Sequence, residues 1–377
     1  MMRRMSGRAA LLVLAVVVSI AAAHVKVAIA APAGAAKVLG GAKGQSGSPI
    51  EGPVLGYVFN SVHRTIHPIQ GITGAAQVGP ALASEVSFAT VAVFPTHTFA
   101  FGVEAGSGSA YYVELTPAAA KATTLGSIND GADRIVISPS GTAAIFYDRA
   151  NREAQVVSGL PGDRKVRGPV ALDSVPGVIS ALAVNDAGDA ILIGVSEEEG
   201  GSLYLGGPSR DPRSLTNMGR VSSVAFLPDS NDAAVADYDR NEVILLTDVA
   251  GGGGSTVIGG EHDGVMQPAV VAASADGASI LVVSSQRGGI TRLSTSGGLP
   301  NSLDCDCRPS NLMPLVGNAV FVVTETSASP LLVYDGDREL NGQPAPRIWF
   351  VPPSEATLVA EPTPSAPRRL PRGRSGR

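Results

Sequence analysis

Val136-Ile137-Ser138-Pro139-Ser140-Gly141-Thr142-Ala143-Ala144-Ile145-Phe146-Tyr147 reads as an apolar strand, a tight turn and a second apolar strand. Pro presets φ and Gly tolerates a left-handed backbone, so Ser-Pro-Ser-Gly is turn chemistry with a mechanism. The same pattern returns as Leu182-Ala183-Val184-Asn185-Asp186-Ala187-Gly188-Asp189-Ala190-Ile191-Leu192-Ile193, and again at 224–235 and 271–282. The turns fall at Gly141, Gly188, Ser230, Gly277 and Gly317, at intervals of 47, 42, 47 and 40 residues. All-β units of roughly 40–50 residues are the signature of a β-propeller, whose blades are four-stranded antiparallel sheets.

Working outward, a second hairpin follows the first in each unit. Its tips fall near 60–64, 104–109, 148–152, 196–201, 237–241, 285–289 and 325–329, which predicts seven blades, with six as the alternative. Tyr57-Val58-Phe59-Asn60 lies over Ile145-Phe146-Tyr147-Asp148, so the chain enters its first blade at the second strand. Ile348-Trp349-Phe350-Val351-Pro352 lies over Val224-Ala225-Phe226-Leu227-Pro228, a first strand with its turn. The expectation is a ring closed by pairing N- and C-terminal segments, with 347–352 as the innermost strand of the first blade. The alternative makes that segment an outer strand. An open ring would leave exposed sheet edges that template aggregation.

The 377 residues include 45 Gly and 27 Pro and carry a formal charge of −5, which gives no electrostatic footprint for nucleic acid. Repeats over 54–354 describe one closed domain. Arg3, Arg4 and Arg8 precede an apolar run from Ala9 to Ala23, and Ala28-Ile29-Ala30 suits signal peptidase. A basic start, a short apolar core and small residues describe a signal peptide over 1–30, too short to span a bilayer. The expectation is an extracytoplasmic protein, secreted or periplasmic, with no membrane span after cleavage. Residues 31–53 read as a flexible leader, and the Pro- and Arg-rich 355–377 as a disordered tail.

With Ser138-Pro139-Ser140-Gly141 and Ser274-Ala275-Asp276-Gly277, the repeats resemble the bacterial extracytoplasmic propellers described as YncE-like or lactonase-like. The resemblance covers 54–354 and rests on a turn motif that many propellers share. It implies the fold, and as one functional alternative a lactonase-like hydrolase or isomerase acting on a sugar acid or lactone in the central funnel. WD-type and quinoprotein blades need recurrent tryptophans, and Trp349 is the only one.

No catalytic set stands beside the repeat. His63 and His67 share a strand face without a third ligand, His97 sits in a Pro-Thr-His turn, and Glu261-His262-Asp263 lies in one loop. Asp186, Asp189, Asp229, Asp232 and Asp276 suit turn capping rather than calcium. Cys305 and Cys307 leave open a local disulfide, free thiols or a metal pair, the first favoured by export. No metal and no cofactor is expected. The candidate binding residues line the hairpin-tip rim: Asn60, Arg64, Tyr147, Asp148, Arg149, Arg152, Tyr238, Asp239, Arg240 and Arg287. The leading reading is a monomeric, non-enzymatic binding or scaffolding module for a protein, peptide or glycan partner.

Overall fold

A computed structural model describes residues 52–325 and 330–353. The expected signal peptide, tail and seventh tip, and all of the leader but its last two residues, lie outside the described residues. The sheets form a seven-bladed propeller, six blades of four antiparallel strands and a first blade of three. No α-helix occurs among the described residues, only a 3-10 turn at Glu261–Asp263. Within a blade the chain runs from the axis outward, as in Arg134–Ile137, Ala143–Asp148, Glu153–Ser158 and Lys165–Ala171.

Strand composition follows this radial order. The second strand reads Ala-Ala-Ile-Phe-Tyr at 143–147 and Ile-Leu-Val-Val at 280–283, apolar at successive positions because each face packs on a neighbouring blade. Outer strands such as Lys165–Ala171 keep one face for water. The core is accordingly a circle of seam clusters rather than one centre. Ile145 and Val156 of blade 3 meet Leu182 and Ile193 of blade 4, and Leu55 and Ile69 of blade 1 meet Val322 and Val333 of blade 7.

Two repeated devices set the loops. In blades 1, 3, 4, 5 and 6 the tip between second and third strands ends on a residue with positive φ, as at Arg64 (57°), Arg152 (50°) and Gly288 (70°). The turn between first and second strands has its own left-handed position, occupied by Gly141 (74°), Gly188 (67°) and Gly277 (68°), and in blade 2 by His97 (54°). Asp186, expected to cap its own turn, does not: Asn185 Oδ1 accepts the Asp189 and Ala190 N–H groups there, and Asp186 reaches other blades instead. Its carboxylate accepts the N–H of Ser140 from blade 3 at 2.8 Å and of Asp229 from blade 5 at 2.9 Å.

The axial strands are tied together by serines. Blades 4 and 5 each bulge there, at Ser180 and Ser222. The Ser180 hydroxyl donates to Val221 O of the next blade at 2.6 Å, and the Ser222 hydroxyl donates to Pro268 O of the blade after.

The C-terminal strand corrects an expectation. Arg347–Val351 is the outer strand of blade 7, paired with Leu331–Asp335, and not the innermost strand of blade 1. Side chains decide this placement: Arg347 forms an ion pair with buried Asp335 at 3.2 Å and donates to Thr73 O, while Val351 fills the seam with blade 1. Phe350, which an innermost strand would bury, is half exposed because the far face of an outer strand meets no blade. The ends still pair. Val78, in the outer strand of blade 1, forms a parallel bridge with Pro353, and its N–H donates to Pro352 O at 2.8 Å. Blade 1 begins at Val54–Asn60, a second strand by sequence, with no described strand on its axial side. Cys305 and Cys307 form a disulfide with Cα atoms 5.1 Å apart, against the seam of blades 6 and 7.

Candidate functional site

Antiparallel order sends the second-to-third hairpin tips and the connections between blades to one face of the ring. That tip face carries the sequence-predicted rim, and the structure shows what each side chain does there. Asn60 and Asp148 cap their own tips: Asn60 Oδ1 accepts from Val62 and His63 N–H, and Asp148 Oδ1 from Ala150 and Asn151 N–H. Arg152 reaches the blade 3–4 connection and donates to the carbonyls of Leu172, Val175 and Gly177. Arg149 faces Asp133 at 3.3 Å, Arg240 lies 3.7 Å from buried Asp237, and Arg287 holds Asp304 by two hydrogen bonds. Asp239 receives a guanidinium fork from Arg220, which also stacks over the Tyr238 ring, while the Tyr238 hydroxyl donates to Gln267 Oε1. Hydrogen bonds from these arginines hold the Asp239 and Asp304 carboxyls below their ordinary range. Tyr147 lies in the core between blades 3 and 4, where burial pushes its hydroxyl above its ordinary value. Arg64 is exposed and has no ion-pair partner among the described residues. Most of this rim is therefore engaged, in capping its own tips or in holding tips to connections and to an outer strand.

A cavity of about 60 Å³ opens on the same face between blades 2 and 3. The connection between those blades supplies Asn129, Asp130 and Ala132, and blade 3 supplies Phe146, Asp148, Asn151, Glu153 and Gln155. Its apolar lining, Phe146 and Ala132, is buried. The three carboxylates differ. Asp148 is saturated, its second oxygen taking the Asn151 amide at 2.7 Å. Asp130 and Glu153 make no hydrogen bond or ion pair among the described residues. Gln155 is 7% exposed; its Oε1 accepts the Asn129 N–H at 2.6 Å, and its amide nitrogen, which donates to no described residue, is left for the cavity. No basic side chain among the described residues lines the cavity, and Glu104 with Asp130 extends the negative field to Tyr111, whose hydroxyl burial and these carboxylates push upward. The arrangement suits a cation that brings several donors, since two free carboxylates stand beside an apolar surface. Of the predicted rim residues only Asp148 lines it. The sequence signal for the rest is Asn129-Asp130-Gly131-Ala132-Asp133, an acidic connection preceding an Asp-tipped hairpin.

The opposite face offers a larger recess of about 340 Å³ between blades 7 and 1, lined among others by Thr73, Asp335, Asp337, Arg338 and Arg347. Its charges are already matched: Arg347 with Asp335, Asp337 with the N–H groups of Asn318 and Ala319, and Arg338 with Ala345 O. Among the described residues no group of three or more His, Cys, Asp or Glu converges as a metal site. His67 lies between the Thr65 hydroxyl and Gly79 O, both about 3 Å away.

His97 is the exception among the histidines. It takes the position that Gly141, Gly188 and Gly277 hold in other blades, and its ring enters the seam beside Gly56 and Leu315. Neither ring nitrogen makes a hydrogen bond of normal geometry among the described residues. Burial lowers its pKa from 6.5 to about 4, an effect the Leu315 backbone offsets only in part.

No family model and no curated protein matches the sequence. Solved structures do match, and all three considered are alike in fold alone. A functionally unknown protein from Desulfotomaculum acetoxidans is 16% identical with a TM-score of 0.53, over 79% of this chain and 100% of that one. A 6-phosphogluconolactonase-like protein from Bacteroides uniformis is 13% identical with a TM-score of 0.51, over 79% and 96%. A streptogramin B lyase is 12% identical with a TM-score of 0.50, over 73% and 86%. The chain is thus similar to lactonase-type propellers. At these identities sites do not transfer, because one propeller scaffold hosts unrelated chemistries.

Proposed function

We propose that this chain is an exported, monomeric, non-enzymatic propeller of bacterial type that binds or scaffolds a polypeptide partner through its tip face. The observation that carries this reading is the cavity between blades 2 and 3, where Asp130 and Glu153 stand without partners among the described residues, around buried Phe146 and Ala132. Unmatched carboxylates beside apolar surface favour a basic peptide over a glycan or a nucleic acid, whose phosphates they would repel. Export rests on the Arg-led apolar start. N-terminal sequencing of protein from the exported fraction should begin near Ala31 or His24, and an intact Met1 there refutes cleavage. Binding is tested by titrating the folded protein with short basic, acidic and neutral peptides and with neutral oligosaccharides. Only basic peptides should bind, and the double variant Asp130→Asn/Glu153→Gln should lose them. Stoichiometric calcium or zinc in the purified protein, with turnover of a lactone, would instead establish the hydrolase alternative.

A further inference from the structure

The tip-face cavity meets a complementary segment within the same chain. The last ten residues, 368–377, contain Arg368, Arg369, Arg372, Arg374 and Arg377 and no acidic residue. The chain also leaves the propeller on the appropriate face. Val351 pairs with Leu331, the residue just past the seventh tip, so the outer strand of blade 7 ends at the tip side. Pro353 then sits beside Val78 at the outer edge of blade 1, two seams round the ring from the cavity. Arg368 lies 15 residues beyond Pro353 and Arg377 lies 24 beyond. At about 3.3–3.6 Å per extended residue those spans reach about 50–80 Å, ample for a surface path across blades 1 and 2.

We propose that the cavity between blades 2 and 3 is an arginine-binding site whose resident ligand is the chain's own C-terminal segment, 368–377. One guanidinium enters against Phe146 and donates to Asp130 and Glu153, while the Gln155 amide donates to a carbonyl of the docked segment. A planar five-donor group satisfies two carboxylates at once, which a lysine ammonium does less well. A basic partner then competes with the tail for the same two carboxylates. The inference rests on the peptide-binding reading above, and its test separates the two.

The probe is a fluorescein-labelled synthetic peptide of residues 361–377, titrated at low ionic strength and followed by anisotropy. It is added to the full chain and to a full chain in which the five tail arginines are replaced by glutamine. A tethered segment has an effective concentration of about 1 mM, so against a peptide of about 100 μM affinity the wild-type tail should weaken binding about tenfold. The expected result is binding to the neutral-tail chain, about tenfold weaker binding to the wild type, and loss of binding when Asp130→Asn and Glu153→Gln are added to the neutral-tail chain. Raising the salt to 0.5 M should weaken every arm, since screening shortens the reach of these charges. Equal binding to wild-type and neutral-tail chains overturns the intramolecular proposal while leaving the cavity a peptide site. No binding to the neutral-tail chain, or binding indifferent to the Asp130 and Glu153 substitutions, overturns both.

Discussion

His97 makes the stability of the ring pH-dependent in a way that can be worked out from its surroundings. The ring sits 7% exposed beside Gly56 and Leu315, and ionises near pH 4 rather than 6.5. Between those values the unfolded chain binds a proton that the folded chain refuses, so stability is full above 6.5 and falls as pH drops. The slope approaches about 1.4 kcal/mol per pH unit, and the loss between pH 7 and pH 5 is about 2 kcal/mol. Carboxylates held low, such as Asp239, Asp276 and Asp304, contribute stability that is lost only as pH falls below their ordinary value of 3.8. Work at pH 5 and above therefore isolates the histidine. The perturbation is His97→Asn, because Asn adopts positive φ more readily than most side chains and does not titrate. Absolute stability at pH 7 changes with the volume removed, so the quantity compared is the increment between pH 7 and 5 within each protein. Urea unfolding should show the wild type losing about 2 kcal/mol more than the variant over that interval. Equal increments in the two proteins, or a His97 ring resonance that titrates near 6.5 in the folded protein, would refute the assignment.

Other outcomes follow from the same contacts. Truncation after Pro353 should lower stability by no more than the roughly 1.4 kcal/mol that a docked tail contributes at an effective concentration about ten times its Kd, whereas truncation before Arg347 also removes Trp349 and Val351 from the seam of blades 7 and 1, at about 2–5 kcal/mol for a large buried side chain; similar melting of the two truncations would contradict the outer-strand assignment. Arg152→Ala should destabilise by about 2 kcal/mol, because three carbonyls of the blade 3–4 connection lose a charged donor, and a change within 0.5 kcal/mol or so would show water replacing it freely. Replacing Cys305 and Cys307 together by Ser should shift stability by about 1 kcal/mol or less, since so short a loop restricts the unfolded chain little; loss of folding would contradict it.

Architecture was legible in the sequence because its causes are local and repeated. Ser-Pro-Ser-Gly at 138–141 and Ser-Ala-Asp-Gly at 274–277 each bend the chain within four residues, and apolar runs on both sides demand burial on two faces. Seven such units leave one economical packing, each blade covering the next. The six described tips and the entry of the chain at a second strand follow from the same local reasoning. Three things were decided only in three dimensions. The strand Arg347–Val351 matches a first strand by hydrophobic pattern, yet the partner it takes depends on Asp335 awaiting Arg347 and on the space Val351 fills, which are contacts no pattern encodes. Arg149, Arg152 and Arg287 looked free in sequence but are held by carbonyls and carboxylates far along the chain, as Arg152 is by residues 20 to 25 positions away. The cavity between blades 2 and 3 joins a connection to a hairpin well separated in sequence, and only the closed ring brings Asp130 and Glu153 to one opening. Periodicity fixes which faces are buried; side-chain complementarity between distant segments fixes which charges are left over to bind.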